Sequence, residues 1–209
     1  MSSTRATQEA QELLKQILNE LENSKGSVAS GIQRLLRVAT ILGDENVKIW
    51  CQVQLGDGTY TDALEELLKA GIAAHKNPTD EKAKKALDDG RKKVEEVGIR
   101  LDFFDQQEWT FKADAGAGGF GNIGSIEERY ADLVRTKRGN DGTHYKNNLH
   151  EHLAYVRRVG HQRATALHNR LAYADTPQTS FDVLKRALTT SCWTLHLIRQ
   201  SSSCLPSEG

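Results

Sequence analysis

Cysteine is scarce in this chain of 209 residues, and its placement does not favour pairing. Only Cys51, Cys192 and Cys204 are present, and no two of them form a C-x-x-C pair. Disulfide-rich secreted domains carry even sets of cysteines, and zinc knuckles carry C-x-x-C pairs. The sequence therefore argues against a disulfide framework and against a zinc knuckle, and it fits a reducing cytoplasm.

Long apolar runs are also missing. No stretch approaches the roughly 18 consecutive apolar residues from which a transmembrane helix is read. The N-terminal residues 1–8 are polar and contain no apolar core of a signal peptide. We therefore predict a cytoplasmic protein that has no membrane partner.

The chain has no excess of either charge, because 28 Lys and Arg residues balance 28 Asp and Glu residues. The distribution is uneven, since residues 126–209 carry 12 basic against 8 acidic side chains. This mild basic bias permits contact with RNA or another polyanion. It falls well short of the composition of a nucleic-acid-binding domain.

Apolar residues recur at intervals of three and four positions through most of the chain, which is the spacing of one buried face of an α-helix. We therefore predict an all-α fold of two helical modules joined by a glycine-rich connector. The predicted parts are an N-terminal helical module at 1–97, a hairpin and connector at 98–125, a basic, His-rich helical module at 126–200 and a disordered tail at 201–209.

One segment departs from the helical pattern. Residues 99–103 and 109–113 alternate apolar and polar side chains, as strands do. We expect a short β-hairpin near 98–114. Further along, Ser125 and Glu128 have the spacing of a capping box, which predicts that a helix begins there.

A specific pattern lies between Val28 and Tyr60. It consists of Leu35-Leu36-Arg37-Val38-Ala39-Thr40-Ile41-Leu42-Gly43-Asp44-Glu45, then Trp50, then Leu55-Gly56-Asp57-Gly58. This pattern resembles the N-terminal helical module of the AbiTii family, although Asp57 stands where that module has asparagine. AbiTii-like modules are linked with abortive infection and phage defence in bacteria. The resemblance implies a defence context for the module at 1–97, and it implies no particular reaction.

The longest helical pattern runs from Thr143 to Ala174 and contains five of the seven histidines. Its apolar face consists of Leu149, Leu153, Val156, Gly160, Ala164, Leu167, Leu171 and Ala174. At about 100° per residue, a second stripe lies roughly a quarter turn away and consists of His150, Arg157, His161 and His168. With Arg158 and Arg170, it is a candidate surface for nucleic acid or a partner protein. Gly160 in the apolar face predicts the close approach of another helix.

Arg163 and His168 are separated by four residues. This spacing resembles the catalytic motif of HEPN-type ribonucleases, which often act as pairs of subunits. There, a cation holds the scissile phosphate and an imidazole transfers protons. The family usually has a polar residue after the arginine, and this chain has Ala164. The resemblance implies a metal-independent ribonuclease in which Arg163 and His168 are catalytic.

The histidines of the stripe are too far apart to share one metal ion within a chain. His150 and His161 are separated by about 16 Å along the helix axis, and His161 and His168 by about 10 Å. Zinc on a helix needs ligands three or four residues apart. We therefore predict no metal and no cofactor.

The glycine-rich run at 116–124 satisfies G-x-G-x-x-G. A dinucleotide site also needs a preceding buried strand, and residues 106–108 are polar. We interpret the run as a hinge between the two modules. Its glycines Gly118, Gly119 and Gly121 form a candidate anion-binding loop, because backbone amides exposed by glycine can approach an anion.

No Walker loop or nucleophile elbow accompanies these patterns. The sequence favours a non-enzymatic interaction or regulatory module of a bacterial anti-phage system, which self-associates or binds a partner protein. Two alternatives stay open. One is a HEPN-like ribonuclease effector that uses Arg163 and His168, and the other is a nucleic-acid or anion-binding protein without catalysis.

Overall fold

The predicted all-α fold is confirmed for the part of the chain that the structure describes, which contains seven α-helices and no β-strand. The computed structural model describes residues 2–104, 108–109, 120–136 and 143–173. The helices are α1 (Ser2–Glu22), α2 (Val28–Leu42), α3 (Glu45–Gln54), α4 (Gly58–Lys76), α5 (Glu81–Glu96), α6 (Ile123–Thr136) and α7 (Thr143–Ala172).

Local signals set the ends of α2 and the start of α3. The Ser27 hydroxyl accepts a hydrogen bond from the Ser30 amide and caps the first turn of α2. Gly43 ends α2 with a φ of 65°, a left-handed conformation that glycine adopts at little cost. The Asp44 carboxylate then accepts from the Val47 amide at 3.1 Å and caps α3. Two helices can therefore follow each other with a sharp turn between them.

The core of the first helices surrounds Trp50 of α3. Leu14 and Ile17 of α1 and Ile32 and Leu35 of α2 are fully buried, as is the indole ring itself. Each such aliphatic side chain contributes about 1.5–3 kcal/mol when it leaves water. Helix α7 packs on this apolar cluster, where Ile32 and Trp50 lie close to Gly160.

Helix α6 is attached to the core by polar side chains at its N-terminal end. The Glu127 carboxylate accepts hydrogen bonds from the Ser27 hydroxyl at 2.8 Å and the Val28 amide at 2.9 Å, at the start of α2. A negative charge is favourable there because helix N-termini carry unpaired N–H groups. The Asn122 amide group donates to the Leu55 carbonyl at 2.7 Å. These contacts fix α6 against α2 and the end of α3.

The start of α6 corrects the predicted capping box. Ser125 is an exposed residue inside the helix, which begins at Ile123. The side chain of Asn122 accepts from the Gly124 amide at 2.7 Å and acts as the cap. Asparagine and serine are about equally favourable as helix caps. The spacing of Ser125 and Glu128 therefore did not show that Asn122 is the cap.

The predicted β-hairpin is wrong for its first strand. Leu101–Phe103 forms a short 3-10 helix. Gly98 ends α5 with a φ of 81°, and the Ile99 amide donates to the Val94 carbonyl at 3.1 Å. That amide is therefore used in closing α5, and the Ile99 side chain is buried in the core. The predicted second strand lies almost entirely outside the described residues.

The chain divides into two compact units, Met1–Asn169 and Arg170–Gly209. The first unit runs through the predicted connector at 98–125, so α1–α3 and most of α7 belong to one unit. The predicted tail at 201–209 lies outside the described residues. Among the described helices, none combines the length and the apolar character that crossing a membrane requires.

Candidate functional site on helix α7

The predicted apolar face of α7 is buried, and at Gly160 it meets side chains of the first three helices. Leu149, Leu153, Val156, Ala164 and Leu167 are all buried, while Leu171 is half-buried and Ala174 lies outside the described residues. At Gly160 the approach is closest. A Cβ added there would lie 2.9 Å from Ile32 Cδ1 and 3.3 Å from Leu21 Cδ1. Side-chain atoms of α1 and α2 therefore pack against Gly160, and they belong to the same chain.

Arg163 lies on the ring of Trp50. Its guanidinium carbon is 4.7 Å from the ring centroid, and its Nε atom is buried. A cation over an indole ring contributes about 2 kcal/mol when the pair is shielded from water. The charge also acts on neighbouring Cys51, whose thiol pKa is raised by burial and lowered less strongly by Arg163. The candidate catalytic arginine is therefore part of the packing around α3.

Glu108 contacts the same tryptophan through the indole nitrogen. Trp50 Nε1 and the Tyr155 hydroxyl each donate to Glu108 Oε2 at 3.2 Å, and the Gln54 amide donates to Glu108 Oε1. All four side chains are 4% exposed or less. Three donors around one buried carboxylate satisfy its need for hydrogen bonds. This buried polar cluster links α3, α7 and the segment after α5.

Sequence analysis missed the buried polar cluster. One signal was present in the sequence. Gln54 has the same helical spacing as the apolar residues that face inward on α3, although its side chain is polar. A buried amide requires a partner, and Gln54 therefore implied one elsewhere in the chain. Nothing in the sequence marked Glu108 as that partner.

Two side chains of the predicted stripe, Arg157 and His161, contact the C-terminal end of α1. Arg157 donates to the carbonyl oxygens of Asn23 at 2.6 Å, Gly26 at 2.7 Å and Glu20 at 3.3 Å. The last carbonyl groups of a helix have no partners within it and carry partial negative charge. His161 Nε2 lies 3.1 Å from a carboxylate oxygen of Glu22, in the last turn of α1. This part of the stripe stabilises the junction of α7 with α1.

The remaining stripe residues have separate environments. His168 is half-buried, and it follows Arg163 by five positions, which places it about 140° around the helix and about 7.5 Å along it. His150 is exposed, and its ring centroid lies 5.4 Å from that of Tyr130. Arg158 is exposed on the ring of Tyr155, and Arg170 is exposed at the start of the second unit. The structure therefore does not gather the stripe into one site.

A metal site is not formed by the described side chains. No group of three or more His, Cys, Asp and Glu residues in the described ranges could hold an ion. His152 is buried on α7.

A cavity lies between α6 and the start of α7. Its volume is about 210 Å³, and it is lined by Gly121, Asn122, Ser125, Ile126, Arg129, Tyr145 and Leu149. Arg129 donates to the Tyr145 hydroxyl at 2.8 Å. Of the candidate anion-binding loop, Gly121 therefore borders a cavity, while Gly118 and Gly119 lie outside the described residues.

Comparison of the chain with protein-family models, with curated proteins and with solved structures gives no match. The resemblance of residues 28–60 to the AbiTii module stays a prediction. In the structure these residues form α2, α3 and the first residues of α4. Trp50, which carries part of the resemblance, is fully buried and donates to Glu108 in the buried polar cluster.

Proposed function

We propose that this chain is a non-enzymatic interaction module of a bacterial anti-phage system, acting in the cytoplasm by self-association or by binding a partner protein. The resemblance of residues 28–60 to the AbiTii module supports the defence context. The observation that carries the non-enzymatic part is the placement of Arg163 on the buried ring of Trp50.

Arg163 is the residue on which the ribonuclease alternative depends. A catalytic cation has to reach the scissile phosphate of the substrate. In this chain, reaching a phosphate would first require the half-buried guanidinium to leave the Trp50 ring, at a cost of about 0.5–2 kcal/mol. That cost favours a packing role for Arg163. His168 would then be left without the cation that the HEPN mechanism pairs with it.

The nucleic-acid-binding alternative depends on the cationic stripe. Arg157 donates to three carbonyl groups at the end of α1 and just after it, and His161 is next to the Glu22 carboxylate. Side chains committed in this way contribute little to binding phosphates of the nucleic-acid backbone. The stripe therefore supports intrachain assembly better than recognition of a polyanion.

An RNA-cleavage assay in the presence of EDTA tests the non-enzymatic part. We expect the purified chain, the His168→Ala variant and the His75→Ala variant to show the same background cleavage. His75 is exposed on α4 and serves as the matched control. Cleavage by the wild type that disappears in His168→Ala and persists in His75→Ala would overturn the proposal and establish a metal-independent ribonuclease.

Light scattering over a wide range of protein concentration tests self-association. We expect a mass of at least twice that of the monomer. In a binding assay, we expect no affinity for RNA. Binding of RNA whose affinity falls steeply with salt would contradict the proposal and support the nucleic-acid-binding alternative. A monomer at every concentration would contradict self-association and leave only the binding of a different protein.

A further inference from the structure

The cavity between α6 and α7 has an apolar floor and a polar rim. Ile126 of α6 and Leu149 of α7 are buried and form the floor. Asn122, Ser125, Arg129 and Tyr145 line it with polar groups. A concave, mostly apolar surface with a few polar groups aimed into it is the usual form of a small-molecule site.

The polar groups of the rim select for negative charge. Arg129 is the one charged side chain among the lining residues, and no carboxylate lines the cavity. A guanidinium has five N–H donors, of which the bond to the Tyr145 hydroxyl uses one. Ser125 and Tyr145 add hydroxyl groups that can donate to an anion. The nearby carboxylate of Glu127 is bound to the start of α2 instead.

We propose that this cavity binds a small organic anion, namely a carboxylate or sulfonate attached to a single ring or a short chain. The apolar floor would cover the ring, and Arg129, with help from Tyr145 and Ser125, would bind the anionic group. Pockets for drug-sized ligands measure roughly 300–1,000 Å³. The cavity of about 210 Å³ is smaller, so it fits one ring and excludes a dinucleotide.

Because the polar side chains of the rim are exposed, they are better suited to binding a ligand than to holding α6 on α7. Tyr145 is 38% exposed, and Arg129 is exposed as well. A hydrogen bond between exposed side chains contributes little to stability, because water competes for both groups. The pair therefore does little to hold α6 on α7, whereas it presents several donors at the mouth of an apolar cavity. This site does not depend on the proposed interaction function.

Titration with benzoate, followed by NMR of the backbone amides, tests the proposal on the full chain. We expect benzoate at millimolar concentrations to shift the amide signals of residues 121–129 and 145–149. Benzyl alcohol keeps the ring without the charge, and inorganic phosphate keeps the charge without the ring. Both should bind at least about tenfold more weakly, since each lacks one of the two contacts.

Two variants separate binding from structure. Arg129→Met should weaken benzoate binding about tenfold or more, because the charge-assisted hydrogen bonds are lost. Arg135→Met removes an exposed cation from the same helix outside the cavity and should leave the affinity unchanged. Ser125→Trp fills the cavity from an exposed position and should also abolish binding.

Three results of these measurements would overturn the proposal that the cavity binds a small organic anion. No shift of the cavity signals at millimolar benzoate would overturn the proposal. So would equal binding of benzoate and benzyl alcohol, or equal affinities of the wild type and Arg129→Met. Amide spectra of the variants that match the wild type outside the cavity ensure that a loss of binding is not a loss of the fold.

Discussion

Replacing Gly160 with alanine tests the packing of α7 on α1 and α2. The new Cβ would lie 2.9 Å from Ile32 Cδ1, whereas carbon atoms in favourable contact are about 3.5–4.0 Å apart. Alanine stabilises a helix interior by about 1 kcal/mol relative to glycine. Overpacking of a core costs about 1–3 kcal/mol. The clashing atoms are side-chain ends that can move, so we expect a net destabilisation of about 1 kcal/mol.

Two further variants isolate the steric part of this effect. In α4, a Cβ added to Gly71 would meet Leu87 Cδ1 at 3.9 Å, which is ordinary contact. Gly71→Ala should therefore stabilise the protein by about 0.5–1 kcal/mol. Ile32→Val removes the clashing Cδ1 atom and by itself costs about 0.5–1.5 kcal/mol. Combined with Gly160→Ala it should cost less than the sum, with a coupling of about 1 kcal/mol.

Urea unfolding followed by circular dichroism measures all four chains and the wild type. The expected order of stability places Gly71→Ala above the wild type and Gly160→Ala below it. A Gly160→Ala chain that is stabilised as much as Gly71→Ala would refute the close packing at Gly160. Strict additivity of Gly160→Ala and Ile32→Val would refute the contact with Ile32.

Three other perturbations have expected outcomes. Glu108→Leu should lower the free energy of unfolding by about 3–5 kcal/mol, because buried donors lose their acceptor. Glu108→Gln should cost less, because it keeps an acceptor oxygen. Tryptophan fluorescence during urea unfolding measures the stability of both variants. Arg157→Met should cost about 1.5–3 kcal/mol through lost charged hydrogen bonds, against at most about 0.5 kcal/mol for the exposed neighbour in Arg158→Met. Burial raises the pKa of the Cys51 thiol above its ordinary value of 9.0, so the unfolded chain ionises first as pH rises. The wild type should therefore lose up to roughly 1.4 kcal/mol of stability per pH unit above about pH 9 relative to Cys51→Ala. These expectations would be contradicted if Glu108→Leu were as stable as the wild type or if Arg157→Met and Arg158→Met had equal effects. Parallel pH profiles of stability for the wild type and Cys51→Ala would contradict the third.

Much of the helical structure could be predicted because its signals are local. The ends of α2 are set by such signals, with Ser27 as its cap and Gly43 at its end. The apolar face of α7 was also correct from Leu149 to Leu167. Helix periodicity and caps involve residues within a few positions of each other, so a single sequence contains the information.

The errors arose where distant residues compete for the same backbone or side-chain groups. The alternation at 99–103 is typical of a strand, yet the Ile99 amide is already bound at the end of α5. From the sequence, Arg157 fits a ligand-binding stripe and Arg163 fits a catalytic motif. In the structure, Arg157 binds the end of α1 and Arg163 lies on the ring of Trp50. A helical pattern shows which side of α7 a residue occupies, but not which helix lies opposite.

The sequence by itself determined the all-α character and the face that α7 buries, because both follow from the spacing of apolar residues along the chain. Only the tertiary structure decided which polar side chains are used inside the fold. The chain has 28 acidic residues, and nothing local distinguishes Glu108, enclosed by donors from α3 and α7, from those that face water. Burial of a polar side chain depends on groups that the fold brings together from distant parts of the chain, and so does the cavity between α6 and α7.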